Sequence, residues 1–144
     1  MKQVVEIARN WIGTPYVHQS SVKGAGCDCL GLLRGVWREI RGPEPEVAPA
    51  YSMDWGDDPA NPVLLHAATR HLVAKPLSDV APGDVLIFQM RANAAPKHVG
   101  LQGETGVNAT CIHVYSGHAV LESPLSAPWQ RRIAARFAFP LKGV

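Results

Sequence analysis

The chain has 144 residues, of which 47% are hydrophobic and 18% charged, and its formal net charge is +2. This length and apolar content predict one packed domain over residues 1–144 and exclude a disordered chain. The near balance of 14 basic and 12 acidic residues gives no electrostatic reason to expect nucleic-acid binding. The longest strictly aliphatic or aromatic run is Val85-Leu86-Ile87-Phe88, far below the ~18 residues of a spanning helix, so no membrane insertion is expected.

Apolar residues at helical spacing predict three helices in the first half of the chain. The predicted helices cover about residues 2–12, 28–41 and 61–73. Gly13 and Pro15 end the first helix, and Asp28 is suited to cap the second. Residues 13–27 are predicted to be a loop. Residues 42–62 form a Pro-rich insert, and we interpret its acidic side chains as solvated loop charges.

After Pro76 the pattern changes to short apolar segments separated by turn residues, which is typical of strands. Five strands are predicted, over about residues 85–90, 98–103, 109–115, 119–123 and 132–139. Because helices come first and strands follow, the order favours an α+β fold in which N-terminal helices pack on an antiparallel sheet.

Cys29 is the first candidate catalytic residue, because it follows a loop at the predicted start of the second helix. Unpaired N–H groups and the helix dipole at such a position are expected to stabilise a thiolate and to lower the pKa of the thiol. The thiolate is the nucleophilic form of cysteine. Asp28 would oppose a nearby thiolate, so we interpret it as a cap or a substrate-binding residue. Taken alone, Cys29 is also compatible with a small buried hydrophobic residue.

His98 and His113 lie on two strands of the predicted sheet, at a spacing that suits neighbouring strands joined by a loop. This allows His98 to take the thiol proton while His113 orients the His98 ring. His118 is an alternative to His113, and each histidine could instead be an ordinary polar strand residue. Tyr16 is a candidate donor to an oxyanion beside the backbone N–H of Cys29, or else a loop tyrosine that packs its ring.

Four segments together resemble the NlpC/P60 family of papain-like cell-wall cysteine peptidases. They are, in chain order, Trp11-Ile12-Gly13-Thr14-Pro15-Tyr16-Val17, Cys27-Asp28-Cys29-Leu30-Gly31-Leu32, Val80-Ala81-Pro82-Gly83-Asp84-Val85-Leu86-Ile87-Phe88 and His98-Val99-Gly100-Leu101. The matches extend over about residues 4–123. The resemblance implies a papain-like α+β fold with Cys29 as nucleophile, His98 as base and His113 as the orienting residue.

The resemblance also implies a reaction that needs no metal or other cofactor. The Cys29 thiolate would attack an amide carbonyl and form a thioester acyl-enzyme, while His98 protonates the leaving amine and then activates water. The usual family target is the bond between D-γ-glutamate and a diamino acid in the stem peptide of peptidoglycan. Tyr16 and Asp28 would then serve as oxyanion or substrate-binding residues.

The sequence departs from the family pattern at several positions outside the catalytic set. Leu30 stands where many relatives have serine, and residues 17–20 replace the usual Trp-Gly-Gly. These departures leave open whether the substrate must carry a free amine. Cys27 and Cys111 are not family requirements, and they could form a disulfide only if their Cα atoms lie within about 7 Å.

The cellular context can also be predicted. Glu6 and Arg9 interrupt the apolar segment that a secretory signal needs, so the chain is expected to be made in the cytoplasm without a signal peptide. Short members without wall-binding repeats resemble the peptidases of phage tails, prophages and gene transfer agents. That resemblance predicts a virion component, docked to a tail hub or baseplate protein through residues 42–62, that opens the target cell wall from the periplasm during delivery.

Three alternatives remain at this point. One is a non-catalytic tail-tip or hub protein that keeps the fold. Another is a zinc site built from Cys27, Cys29, Cys111 and a histidine, which is disfavoured because Cys-x-Cys is tight spacing for one metal ion. The third is an amidase or acyltransferase on the same scaffold.

Overall fold

The structure is a computed structural model that describes residues 1–46, 60 and 62–140. Most of the Pro-rich insert predicted over residues 42–62, with its acidic residues, lies outside the described residues. The described helices are α1 (Lys2–Arg9), α2 (Cys29–Arg41), α3 (Val63–His71) and α4 (Ala127–Arg131), with a 3-10 turn at Gly106–Asn108. The described strands are β1 (Ser21–Val22), β2 (Gly26–Cys27), β3 (Val73–Lys75), β4 (Val85–Phe88), β5 (His98–Gln102), β6 (Thr110–His113), β7 (Leu121–Pro124) and β8 (Ile133–Ala138).

Six strands form one antiparallel sheet in the order β3-β8-β4-β5-β6-β7, while β1 and β2 pair separately as a short hairpin. This confirms the predicted α+β class and the antiparallel sheet. In the register of the central strands, Phe88 of β4 lies opposite His98, and Leu101 of β5 lies opposite Ile112. Cys111 of β6 lies opposite Ser123 of β7. Because β5 pairs with β6, the strands that carry the two candidate histidines are adjacent.

The sheet has a buried cluster on each face, because successive side chains of a strand point to opposite sides. Val99 and Leu101 of β5 belong to the larger cluster, together with buried residues of α1, α2 and α3. Leu86, Phe88, Cys111 and Leu125 form the smaller cluster, against which Trp129 of α4 packs. By alternation, His98 and Gly100 of β5 lie on the side of the smaller cluster.

The predicted elements match the structure most closely where local signals are strong. Helix α2 begins at Cys29 behind the cap Asp28, and the predicted strands of the sheet all form within two residues of their expected ends. Helix α1 ends at Arg9, three residues early, because the chain turns through residues 10–13. The β1–β2 hairpin, β3 and α4 were not predicted. They are only two to five residues long, which is too short for periodicity to distinguish.

The buried face of α2 contains the predicted residues and extends beyond them. The apolar spacing predicts a face made of Leu30, Leu33, Val36, Trp37 and Ile40. Val36 is buried in the larger cluster, and the other four are partly buried and pack against it. Gly31, Leu32 and Gly35 are also buried. Gly35 allows the Trp11 ring to approach the helix, since a Cβ atom at this position would lie 2.1 Å from the ring.

A buried ionic cluster around Asp84, directly before β4, connects side chains of β3, β5 and β8. Arg136 of β8 donates to one Asp84 carboxylate oxygen at 2.8 Å, and Lys75 of β3 donates to both, at 2.9 and 3.0 Å. The same guanidinium donates to the Gln102 side chain at 3.1 Å and to the Leu77 carbonyl at 3.1 Å. The Asp84 and Arg136 side chains are only 2% and 4% exposed. Loss of one partner would therefore leave a buried charge uncompensated.

Asp84→Asn is expected to lower the free energy of unfolding by about 3 kcal/mol, because it leaves Arg136 and Lys75 without a counter-charge. Urea unfolding followed by circular dichroism measures this. The matched control is Glu104→Gln, which breaks the exposed pair with Arg9 and should cost less than about 1 kcal/mol. Equal losses in the two variants would contradict a structural role for the Asp84 cluster.

Candidate active site

Cys29 is the first residue of α2 and follows a loop that hydrogen bonds to Asp28 hold in place. One carboxylate oxygen of Asp28 accepts from the backbone N–H of Gly31 at 2.7 Å, which confirms the predicted cap. The other oxygen accepts from the backbone N–H of Gln19 at 2.7 Å. Gly31 admits this loop, since a Cβ atom there would lie 1.9 Å from the Ser20 carbonyl oxygen. The loop is thereby fixed over the first turn of α2.

A groove with a volume of about 420 Å³ opens beside the half-buried Cys29. Four of the five predicted site residues line it, namely Cys29, His98, Tyr16 and Asp28. The Cys29 sulfur lies 3.9 Å from the backbone carbonyl oxygen of Lys97, the residue that precedes His98. The structure therefore brings the candidate nucleophile and the candidate base to one accessible surface.

The fifth predicted site residue, His113, lies behind His98 and is 1% exposed. The His98 Nε2 and His113 Nδ1 atoms are 2.9 Å apart, at hydrogen-bonding distance. His118, the alternative third residue, is exposed. Its ring is tilted by 49° to that of Tyr115, at a centroid distance of 4.2 Å. Of these two residues, His113 is therefore the one at hydrogen-bonding distance from His98.

Aromatic rings enclose the two histidines from the side of the smaller cluster. Trp129 of α4 meets the His113 ring edge-on, at a centroid distance of 5.1 Å and an interplanar angle of 88°. Phe88 lies 5.5 Å from the centroid of His98. Trp129 also lines the groove, although nothing in the sequence pattern marked it as a site residue. The available signal was a tryptophan beside Pro128, a residue favoured in a first helical turn.

Burial keeps the two histidines neutral near neutral pH. It lowers the pKa of His98 to about 3, with a further contribution from the charge of His113. Burial alone lowers the pKa of His113 to about 4. An imidazole whose ring is desolvated in this way can accept a proton, but it does not hold one in the resting protein.

The environment of Cys29 differs from the one predicted for a helix start. Burial raises the pKa of the thiol to about 11, and the charge of Asp28 raises it further. The backbone N–H groups of Val99, Leu30 and Cys29 itself act in the opposite direction, but they do not outweigh burial. The prediction of a lowered thiol pKa was therefore wrong. It considered only the position of Cys29 at the helix start, whereas the burial that raises the pKa comes from the packing of β5 against that helix start.

Tyr16 keeps its hydroxyl proton in this groove. Burial raises the pKa of the phenol, and the nearby charges of Asp28 and Cys29 raise it further. A phenol that stays protonated can donate a hydrogen bond to an oxygen that gains negative charge.

The other two cysteines lie apart from the groove. Cys27 is buried in the larger cluster and Cys111 in the smaller one, and both are free thiols, so the disulfide considered from the sequence is absent. Among the residues that the structure describes, no three His, Cys, Asp or Glu side chains come together as a metal site. The zinc alternative thus finds no support in the described part of the chain.

No described helix is long and apolar enough to cross a membrane.

Stability is expected to fall as the pH drops from about 7.5 to about 5. His98 and His113 have folded pKa values near 3 and 4, below the ordinary 6.5. Between those values the unfolded chain binds protons that the folded chain does not bind, so acid favours unfolding. Melting temperatures at the two pH values measure the effect.

The double variant His98→Gln/His113→Gln should show a clearly smaller pH dependence of the melting temperature. The carboxylates with lowered pKa values, such as Glu44 and Glu122, contribute only at more acidic pH. The control His66→Gln removes an exposed histidine and should leave the wild-type slope. A double variant with the wild-type slope would contradict burial of the two rings as neutral groups.

Comparison with known proteins shows the family and the fold of this chain. The NlpC/P60 family model matches residues 13–136. The NlpC/P60 domain of the peptidoglycan hydrolase SagA is 22% identical, with a TM-score of 0.60, and the match covers 96% of this chain and 97% of that chain. No curated protein sequence gives a significant match.

Two longer solved structures share the fold. An NLP/P60 family protein of Staphylococcus aureus, described as similar to lipoprotein, is 17% identical with a TM-score of 0.63, and the match covers 98% of this chain and 41% of that one. An NlpC/P60 family protein of Bacillus cereus is 18% identical with a TM-score of 0.65, and the match covers 95% of this chain and 39% of that one. The chain thus spans about two fifths of the length of these two proteins. The family match over most of the sequence shows that this chain belongs to the NlpC/P60 family.

Proposed function

We propose that the protein is a cell-wall cysteine endopeptidase that cleaves peptidoglycan stem peptides between D-γ-glutamate and a diamino acid. The observation that carries the proposal is the groove lined by both Cys29, at a helix start, and His98, whose ring lies at hydrogen-bonding distance from the buried His113. Membership of a cysteine peptidase family supports the reaction type. The full-length structural match to a domain of a peptidoglycan hydrolase supports the substrate class.

In the proposed mechanism the resting thiol and imidazole are both neutral. As an amide carbonyl enters the groove, the Cys29 thiol proton passes to Nδ1 of His98 while the sulfur bonds to the carbonyl carbon. The backbone N–H of Cys29 and the hydroxyl of Tyr16 donate to the resulting oxyanion. His98 then gives its proton to the departing amine, and the C–N bond breaks to leave a thioester.

Hydrolysis of the thioester completes the cycle. His98, neutral again, takes a proton from water as the water oxygen attacks the thioester carbonyl. The C–S bond breaks and His98 returns its proton to the Cys29 sulfur. The new carboxylic acid releases its own proton to the solvent and leaves as a carboxylate, and the Cys29 thiol is free again, so the protein ends in its starting protonation state.

Digestion of purified peptidoglycan by the wild type and by Cys29→Ala, with the muropeptides read by mass spectrometry, tests the proposal. We expect wild-type products that end in D-glutamate, and none from Cys29→Ala. An amidase would instead release whole stem peptides from the glycan, and an acyltransferase would leave peptides joined to a new amine. A wild type that cuts nothing, alone or within its particle, would favour the non-catalytic structural alternative.

We also propose that the enzyme acts from a phage-like tail particle, docked to a hub or baseplate protein through residues 42–62. The support is the resemblance of this sequence to short tail-associated peptidases. Deletion of residues 47–58 should abolish co-purification with particles and preserve activity of the isolated enzyme. A deletion variant that remains on the particle would contradict this docking site.

A further inference from the structure

We propose that Ser123 is a positioning residue that holds the His113 ring in the orientation that supports His98 as a base. The Ser123 Oγ atom lies 3.0 Å from Nε2 of His113, on the side of the ring away from His98. The inference rests on the proposed function, because it concerns how the His98 base is oriented. Ser123 does not line the groove, so it acts through His113.

The three side chains form a diagonal line over three adjacent strands. His98 lies on β5, His113 on β6 and Ser123 on β7, and the register places all three on the same side of the sheet. Diagonal neighbours of this kind are within reach of long or aromatic side chains. Gly100 leaves room for the His113 side chain beside β5, since a Cβ atom at position 100 would lie 3.2 Å from the Cβ atom of His113 and 2.5 Å from the Cys111 sulfur.

The hydrogen-bond chain allows only one arrangement of protons if His98 is the base. Nε2 of His98 is engaged with His113, so Nδ1 is the nitrogen left to receive the Cys29 proton, and it must begin as a lone pair. Nε2 of the neutral His98 ring then carries the hydrogen and donates to Nδ1 of His113. His113 must therefore carry its own hydrogen on Nε2, where the Ser123 oxygen accepts it.

The opposite tautomer of His113 would place two N–H groups against each other across 2.9 Å. His98 could then keep a hydrogen bond to His113 only with its own proton on Nδ1, and it could not take the thiol proton. The Ser123 hydroxyl can accept from Nε2–H or donate to a bare Nε2, so it holds the orientation of the His113 ring, while the hydrogen donated by His98 sets the tautomer. When His98 becomes cationic during the reaction, the same arrangement lets its Nε2–H donate to the neutral His113 ring.

Nitrogen NMR of the histidine side chains tests this directly, because the two ring nitrogens of a neutral imidazole differ in shift according to which one is protonated. In the wild type we expect His113 as the Nε2–H tautomer. Ser123→Ala should let the His113 ring reorient, which changes its ring-nitrogen signals, and should lower kcat/KM by about tenfold, mainly through kcat. Ser123→Thr keeps the hydroxyl and should recover most of both signals.

Two results would overturn the inference. One is a wild-type His113 protonated on Nδ1, and the other is a Ser123→Ala variant with wild-type His113 ring-nitrogen signals and wild-type kcat. Ser126→Ala is the matched control, because Ser126 is exposed and its side chain makes no capping hydrogen bond to α4. If the wild type cleaves no peptidoglycan, the proposed function fails, whereas the His113 ring-nitrogen spectra of wild type and Ser123→Ala still decide the role of Ser123.

Discussion

Cys29→Ala is expected to reduce cell-wall cleavage by at least about 10⁴-fold while the protein stays folded. Without the sulfur no thioester can form, and neither the oxyanion donors nor His98 can replace a missing nucleophile. The fold should tolerate the change, because Cys29 is only half-buried. Muropeptide release measures the activity, and circular dichroism melting measures the fold.

The control for this variant is Cys27→Ala, two residues away. Cys27 is completely buried in the larger cluster, so alanine there should cost about 1–2 kcal/mol of stability. The folded Cys27→Ala protein should nevertheless cleave at a rate close to that of the wild type. Loss of activity in folded Cys27→Ala, or its survival in Cys29→Ala, would show that the nucleophile is misassigned.

His98→Gln is expected to have the second-largest effect, a loss of about 10³-fold or more in kcat/KM at neutral pH. The reason is the raised pKa of Cys29, near 11, which leaves almost no thiolate unless a base removes the proton during attack. The remaining activity of His98→Gln should therefore rise about tenfold per pH unit up to about pH 10. Initial rates on a synthetic stem peptide across that range measure the pH profile.

The wild type should not share that steep alkaline rise, since His98 supplies the base over the neutral range. His118→Gln is the matched control, because His118 is exposed and its ring contacts that of the exposed Tyr115. Its activity should stay within about twofold of the wild-type value. A His98→Gln profile parallel to that of the wild type would contradict the role of His98 as the base.

Sequence motifs were sufficient to predict which candidate site residues the fold brings to one groove. Asp28 was predicted as a cap and forms it, because capping depends on residues within one helical turn. The motifs around Cys29 and His98 led to two residues that line the same groove. The spacing between His98 and His113 suited neighbouring strands, and β5 and β6 are indeed paired.

The features that were not predicted depend on contacts between distant segments. The thiol pKa of Cys29 is raised because β5 packs against the start of α2, which no helix-start rule contains. Trp129 reaches the histidines from α4, an element of five residues without a readable period. Ser123 meets His113 only because of the register of β6 and β7, and a slip of one residue would turn it to the other face.

The most direct measurement of the central claim is residue-resolved alkylation of the native enzyme. Iodoacetamide would be added at about pH 8, activity followed in time, and the modification of all three cysteines quantified by peptide mass spectrometry. We expect Cys29 to be modified first, with activity lost in proportion, while the buried Cys27 and Cys111 react only after unfolding. Full modification of Cys29 without loss of cleavage would contradict the assignment of Cys29 as the nucleophile.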